Sequence, residues 1–202
     1  MQSLDNVLER FDWFNYSKFY DFISEKKFNV LVELGVWKGH SVSYLAERNK
    51  NSEIYAVDLW EDMQPYPHYH KKIDQLKKSE QTPKNLYKLN LLQDHQNMKK
   101  IYNEYLESRG TRHIINDIQS DAGEASKLFN NEEVDFIFID LWPTSFRSSI
   151  LNDWHPKIKK NGIISGHDFN EREIAEKVKD FALKHKYNIN VEKEQKVWWI
   201  TK

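Results

Sequence analysis

The chain has 202 residues, enough for one domain with a full core, and 39% hydrophobic against 30% charged residues marks it as globular rather than disordered. A formal net charge of −1 gives no basic field for nucleic acid or an anionic membrane, and the lack of cysteine excludes disulfides, thiolate nucleophiles and zinc–thiolate sites. The opening "MQSLDNVLERFDW" has early acids and no apolar leader segment, and no apolar run approaches bilayer-spanning length, so the expected compartment is the cytoplasm.

Taken in chain order, Leu4, Val7, Leu8 and Phe11 follow helical spacing, and Ser17 is placed to cap a short helix through Phe19, Phe22 and Ile23. "FNVLVEL" (28–34) is a β-branched run closed by glycine, a buried strand. A helix over 39–49 then turns Val42, Leu45 and Ala46 inward, and "EIYAVDLW" (53–60) is a second strand ending in an acid. Pro65 and Pro67 bar helix or central strand in "QPYPHYHKK", so 61–92 reads as a lid, with 1–27 as an N-terminal helical cap. A helix is expected from Gln93 to Glu107, a third strand at 113–119, and helical "AGEASKLF" before "VDFIFID" (134–140), the fourth and most apolar strand. "SILNDWHPKIKK" reads as a helix stopped by Asn161-Gly162, then "GIISGHD" (162–168) as the fifth strand. A last helix and a terminal hairpin around Lys193–Gln195 follow. Strands alternating with helices predict one α/β domain over 1–202. Its fold is a Rossmann-like, doubly wound, mostly parallel seven-stranded sheet closed by a C-terminal hairpin.

In such a sheet the ligand sits beyond the carboxyl ends of the strands, where strand order reverses. Glu33, Asp58, Asp140 and Asp168 stand at or just past those ends, with Asp121 after the third strand. One such acid is an ordinary cap or loop residue, whereas five on one rim call for a ligand that is cationic, rich in hydroxyl donors or bound through a metal. The stretch "VELGVWKGHS" has the form Glu-x-Gly-x-x-x-Gly. Gly35 permits the tight turn, and Gly39 permits close approach at the next helix start. Asp58 lies 23 residues after Gly35, where nucleotide-binding βαβ units place a ribose-binding acid. A pyrophosphate is poorly served by a leading carboxylate; an ammonium or sulfonium is well served.

"VELGVWKGHSVSYLAE", "IYAVDLWE", "VDFIFID" and "DWHPKIKKNGIISGHDF", in that order, resemble class I S-adenosylmethionine-dependent methyltransferases. The branch they resemble is that of small-molecule O-methyltransferases whose fifth strand ends in a His-Asp pair. The resemblance covers about residues 28–185. It implies that Glu33, Gly35 and Gly39 border the methionine part of the cofactor, that Asp58 accepts from the ribose hydroxyls, and that Leu59 and Trp60 flank the adenine. Asp121 and Ala122 would meet the adenine edge, with Asp140 beneath the sulfonium and facing the acceptor. Each has a plainer reading: Trp60 as packing, Asp121 as a helix cap.

A hydroxyl acceptor must also lose its proton, to a base or under the pull of a metal. Asp140 and Asp168 end neighbouring strands and could share Mg²⁺ with Asn170 as a third oxygen ligand, or His167 could be the base. The metal-binding relatives carry Asp-Asn after the fifth strand, where Phe169 follows Asp168 here. Relatives also continue the fourth strand as Asp-x-x-His-x-Tyr, whereas this chain has "DLWPTSF", with Pro143 and Ser145 in those places. A bulky Trp142-Pro143 rim suits a flat or apolar acceptor. His68 and His70 form a His-x-His pair in the expected lid, and His40 stands at a helix start; surface roles explain all three.

The function these features predict is methyl transfer from S-adenosylmethionine to a small-molecule hydroxyl, of a sugar or a phenol. The alternative is a non-catalytic cofactor- or partner-binding module on the same fold, and an NAD-dependent oxidoreductase is disfavoured by Glu33. The lysine runs alternate with acids as solvated helix faces, so neither nucleic acid nor membrane is expected as a partner. A homodimer is compatible with the aromatic N-terminal segment.

Overall fold

A computed structural model of the protein describes residues 14–60 and 97–202, with isolated positions between them. The expected lid at 61–92 falls almost wholly outside the described residues, as do His68, His70 and the first helix of the N-terminal cap. Seven strands form one sheet: β1 (Val30–Leu34), β2 (Glu53–Asp58), β3 (Ile115–Gln119), β4 (Val134–Ile139), β5 (Ile158–Gly166), β6 (Asn190–Glu192) and β7 (Val197–Thr201). Their order is β3-β2-β1-β4-β5-β7-β6, parallel through the first five, with β7 antiparallel to β5 and to β6. The expected doubly wound sheet with its closing hairpin is therefore the observed one. The α-helices described over their whole length are α1 (Ser17–Ser24), α2 (His40–Arg48), α3 (Met98–Ser108), α4 (Ser148–Trp154) and α5 (Arg172–His185). None is long and apolar enough to cross a membrane.

The alternation of side chains along the central strands divides the core in two. Val32, Leu34, Ile137 and Ile139 face α4 and α5, packing with Ile150, Trp154, Val178 and Phe181. Leu31, Ile54, Ala56, Phe136 and Phe138 face the other way, onto Phe19, Tyr20, Ile23, Val42, Leu45 and Tyr102 of α1, α2 and α3. Glu33 shares the parity of Leu31 and so lies on the α1–α2 side. Strand order reverses between β1 and β4, and Leu34 stands level with Val57 and Ile139, which in turn is level with Gly166. The chain segments leaving β1, β2, β4 and β5 therefore emerge side by side, the crevice where such sheets bind ligands.

Three local expectations are corrected. The helix expected to run to Asn161 ends at Trp154; a 3₁₀ turn, His155–Lys157, holds Pro156, and β5 already begins at Ile158. The backbone of 156–158 is claimed from outside. Glu132 and Glu133 donate their N–H groups to the carbonyls of Pro156 and Lys157, and Lys202 Nζ bonds those of His155 and Ile158. Asn161, at φ 68°, marks an irregularity in the β4–β5 ladder rather than a helix stop. "AGEASKLF" forms only a 3₁₀ helix, Glu124–Leu128. Ser17 is the first residue of α1 and makes no side-chain cap; Tyr16 is the N-cap, its carbonyl accepting from Phe19 and Tyr20 N–H.

Candidate active site

The β1–α2 turn is shaped by two glycines in the left-handed region. Gly35 has φ 84° and donates to the Val57 carbonyl at 2.8 Å; a Cβ there would stand 2.2 Å from the Asp140 carbonyl oxygen. Gly39, at φ 83°, caps α2, and a Cβ would meet the Tyr102 ring at 2.8 Å. Only glycine lets the turn lie this close to the end of β4.

Glu33, 0% exposed, is sealed beneath that turn. Tyr20 donates its hydroxyl to Oε2 at 2.9 Å, and Ser41, in the first turn of α2, donates to Oε1. Burial pushes the carboxyl up to about 8, against the pull of its two hydroxyl donors, with Asp140 and Asp58 adding to the rise. Glu33 thus ties α1 and α2 to the end of β1.

Asp58, closing β2, accepts from Trp37 N–H through Oδ2 and from Trp60 N–H through Oδ1, both at 2.9 Å. Each oxygen retains a lone pair for a further donor. Trp60, at φ 38°, is buried against Tyr102 with Lys99 Nζ 3.2 Å from its ring centroid, whereas Leu59 is 45% exposed beside it. Asp121 is engaged as a cap and an ion pair: Oδ1 accepts from Gly123 N–H at 2.9 Å, and Arg147 bonds both oxygens at 2.8 and 3.0 Å. Partial burial works against the charge, but Arg147 and the two backbone donors hold the carboxyl below its ordinary value. Ala122 is nearly buried in the core, its carbonyl accepting from Trp154 Nε1. His40 lies with its ring 4.2 Å from that of Tyr105.

Beyond β4 and β5, Asp140, His167 and Asp168 converge. Asp168, at φ 55°, bends the chain sharply so that His167 Nδ1 lies 3.2 Å from Asp168 Oδ1 and 3.5 Å from Asp140 Oδ1. Asp140 Oδ2 accepts the Tyr16 hydroxyl at 2.9 Å. Burial alone would lower His167, but the two carboxylates overcome it and raise its pKa; burial and Asp140 raise that of Asp168 against the opposing His167. His167 Nε2 is buried and has no hydrogen-bond partner among the described residues. At the rim, Trp142 is 71% exposed on a turn locked by Ser145 and Phe146 N–H to its carbonyl and by Lys177 Nζ to the Pro143 and Phe146 carbonyls.

The strand ends suit a cofactor with a vicinal diol and a cationic group: Asp58 has free lone pairs beside a partly exposed Leu59, and the Asp140 carboxylate stands beyond β4. The oxygen-ligand set expected for Mg²⁺ is only partly brought together. Asn170 is exposed and bonds Glu171, whereas Asp140, Asp168 and His167 give two carboxylates and an imidazole whose ligand atoms lie within 4.8 Å of one another. Tyr16, Tyr20 and Ser41 belong to no sequence motif; the one signal was the spacing of the tyrosines, four apart from the N-cap into α1.

A family model described as a methyltransferase domain matches residues 32–169. No curated protein matches the chain in sequence. Among solved structures, one assigned as a caffeoyl-CoA O-methyltransferase from Staphylococcus aureus aligns over 100% of this chain and 92% of its own, with a TM-score of 0.65 at 13% identity. The O-methyltransferase NovP aligns over 98% and 78%, with a TM-score of 0.63 at 10% identity. A SAM-dependent methyltransferase from Aquifex aeolicus aligns over 100% and 98%, with a TM-score of 0.57 at 12% identity. At these identities the likeness is one of fold.

Proposed function

The chain belongs to the methyltransferase-domain family, and on that premise we propose that it methylates a hydroxyl of a small molecule, a sugar or a phenol, with His167 as the base. S-adenosylmethionine, the donor this family implies, supplies an electrophilic methyl on sulfonium when bound. The residues that would hold it are Gly35 and Gly39 at the β1–α2 turn, Asp58 toward the ribose, and Leu59 and Trp60 with Ala122 toward the adenine. Asp140 contributes negative charge from below, while Glu33, which keeps its proton, braces the turn through Tyr20 and Ser41. On this reading the chain sits in the O-methyltransferase branch with a His-Asp pair after the fifth strand.

The observation that carries the role of His167 is its two-sided environment: Nδ1 faces two carboxylates while buried Nε2 has no hydrogen-bond partner among the described residues. A carboxylate on Nδ1–H fixes the ring and its tautomer, leaving the Nε2 lone pair to take the acceptor proton, and then stabilises the imidazolium that forms. On this reading Asp168 and Asp140 take that role.

The test incubates the protein with methyl-labelled S-adenosylmethionine and a panel of 3,4-dihydroxybenzoate, simple phenols and methyl rhamnoside, in EDTA and again in Mg²⁺. Label transfer in EDTA, lost by about 100-fold or more in His167→Gln while S-adenosylhomocysteine still binds, is the expected result. Transfer abolished by EDTA and restored by Mg²⁺ would assign the acceptor proton to a metal site instead.

A further inference from the structure

Tyr16 belongs to no motif of the sequence, yet it joins the N-terminal segment to the acceptor side of the crevice. It is 2% exposed. Its ring lies 4.6 Å from that of Phe138 and 5.0 Å from that of His167, centroid to centroid, with Phe14 edge-on at 4.8 Å and Tyr20 at 5.3 Å. A phenol this buried needs a partner for its hydroxyl, and the partner is Asp140 Oδ2, whose other oxygen faces His167. The segment around it is pinned twice more, by Tyr20 to Glu33 and by Phe19 N–H to Gln195 Oε1 at 3.1 Å.

We propose that Tyr16 is a positioning residue of this site: its hydroxyl fixes Asp140 and thereby holds its ring across His167, closing the acceptor-side imidazole until the segment moves aside. Simple packing would be satisfied by phenylalanine, which fills the same volume among Phe138, Phe14 and Tyr20. The hydroxyl adds direction. It occupies one oxygen of Asp140, so that Asp140 presents the other to Nδ1 and the carboxylate cannot turn away. It also sets where the ring lies, because the Tyr16 hydroxyl and His167 converge on the two oxygens of one carboxylate. The significance of the closure rests on the methyl-transfer reading above; its test does not.

Diethyl pyrocarbonate acylates accessible imidazole nitrogens, and peptide mass mapping reads each histidine separately, with exposed His113 as an internal reference. At about pH 8, His167 of the full chain should react about tenfold more slowly than His113, and Tyr16→Ala should bring it to within about threefold. Tyr16→Phe keeps the ring and the fold but loses the tie to Asp140, and His167 should then react about threefold faster than in the unaltered protein. A merely structural Tyr16 predicts no change in that variant. Three results would overturn the proposal: His167 as reactive as His113 in the unaltered chain, equal rates in the Tyr16→Phe and unaltered chains, or continued protection in a folded Tyr16→Ala. If Tyr16→Ala does not fold, the Tyr16→Phe rate decides. Absence of methyl transfer from the acceptor panel would count against the proposed function and leave this footprint unaffected.

Discussion

Replacing Glu33 by Gln should make the protein more stable in alkaline solution and remove most of a pH dependence that the native chain shows. Glu33 keeps its proton up to about pH 8 in the folded chain, against 4.5 for an ordinary glutamate, because burial penalises its charge. Between those values the folded state binds more protons than the unfolded state. The stability is therefore fully present below 4.5 and is lost as pH rises through about 8. At about 1.4 kcal/mol per pH unit, the interval from 4.5 to about 8 corresponds to about 5 kcal/mol, nearly all of it lost by pH 8. Against typical domain stabilities of about 5–15 kcal/mol that is a large fraction. Glutamine keeps an acceptor for the Tyr20 hydroxyl and offers Ser41 an N–H, with no charge to bury. Urea unfolding followed by tryptophan fluorescence, at about pH 5.5, 7 and 8.5, measures both proteins. Other titrating groups act on both, so the difference isolates Glu33. Curves that run parallel across pH would refute the buried, proton-holding carboxyl.

Asp58→Ala should weaken S-adenosylhomocysteine binding by about 1.5–3 kcal/mol, tenfold or more, read by calorimetry; unchanged affinity would remove the ribose role. Because Asp58 also holds Trp37 and Trp60 N–H, Asp58→Asn, which keeps one acceptor, should lose less. Gly35→Ala should abolish soluble folding or lower the melting midpoint sharply, since its Cβ would overlap the Asp140 carbonyl at a positive φ; a near-native melt by circular dichroism would contradict that. His155, lowered to about 4 by burial and by the nearby His185, Lys202 and Lys184, favours the neutral folded form. Its contribution is present above 6.5 and lost as pH falls through about 4, so His155→Gln should flatten the acid limb of a stability–pH curve.

The sheet was legible because buried parallel strands are short, β-branched runs, and because the acids at their ends are placed by chain position alone. What sequence could not supply was partnership across distance. Asp121 read as a ligand contact or a helix cap; it does cap the turn at Gly123, but its pairing with Arg147, 26 residues on, had no local signal. Asp140 and Asp168 were expected to meet Asn170 and instead meet His167, because the positive φ of Asp168 folds its carboxylate back onto His167 and leaves Asn170 facing solvent. Helical periodicity through Ile158 misled because carbonyls there are claimed by Glu132, Glu133 and Lys202. Tyr16 was silent because its bond to Asp140 spans 124 positions.

The bond from Phe19 N–H to Gln195 Oε1 joins residues 176 apart. During synthesis, α1 emerges early but cannot make this contact until the β6–β7 turn has been translated and β7 has paired with β5. Closure of so long a loop comes late in folding, since its entropic cost must be met before the contact returns anything. Tyr20 can dock on Glu33 and Phe138 as soon as β4 is made, whereas the Phe19 end of α1, which also packs on Trp199, waits for the C-terminal hairpin and stays exposed to chaperones or to neighbouring chains until then.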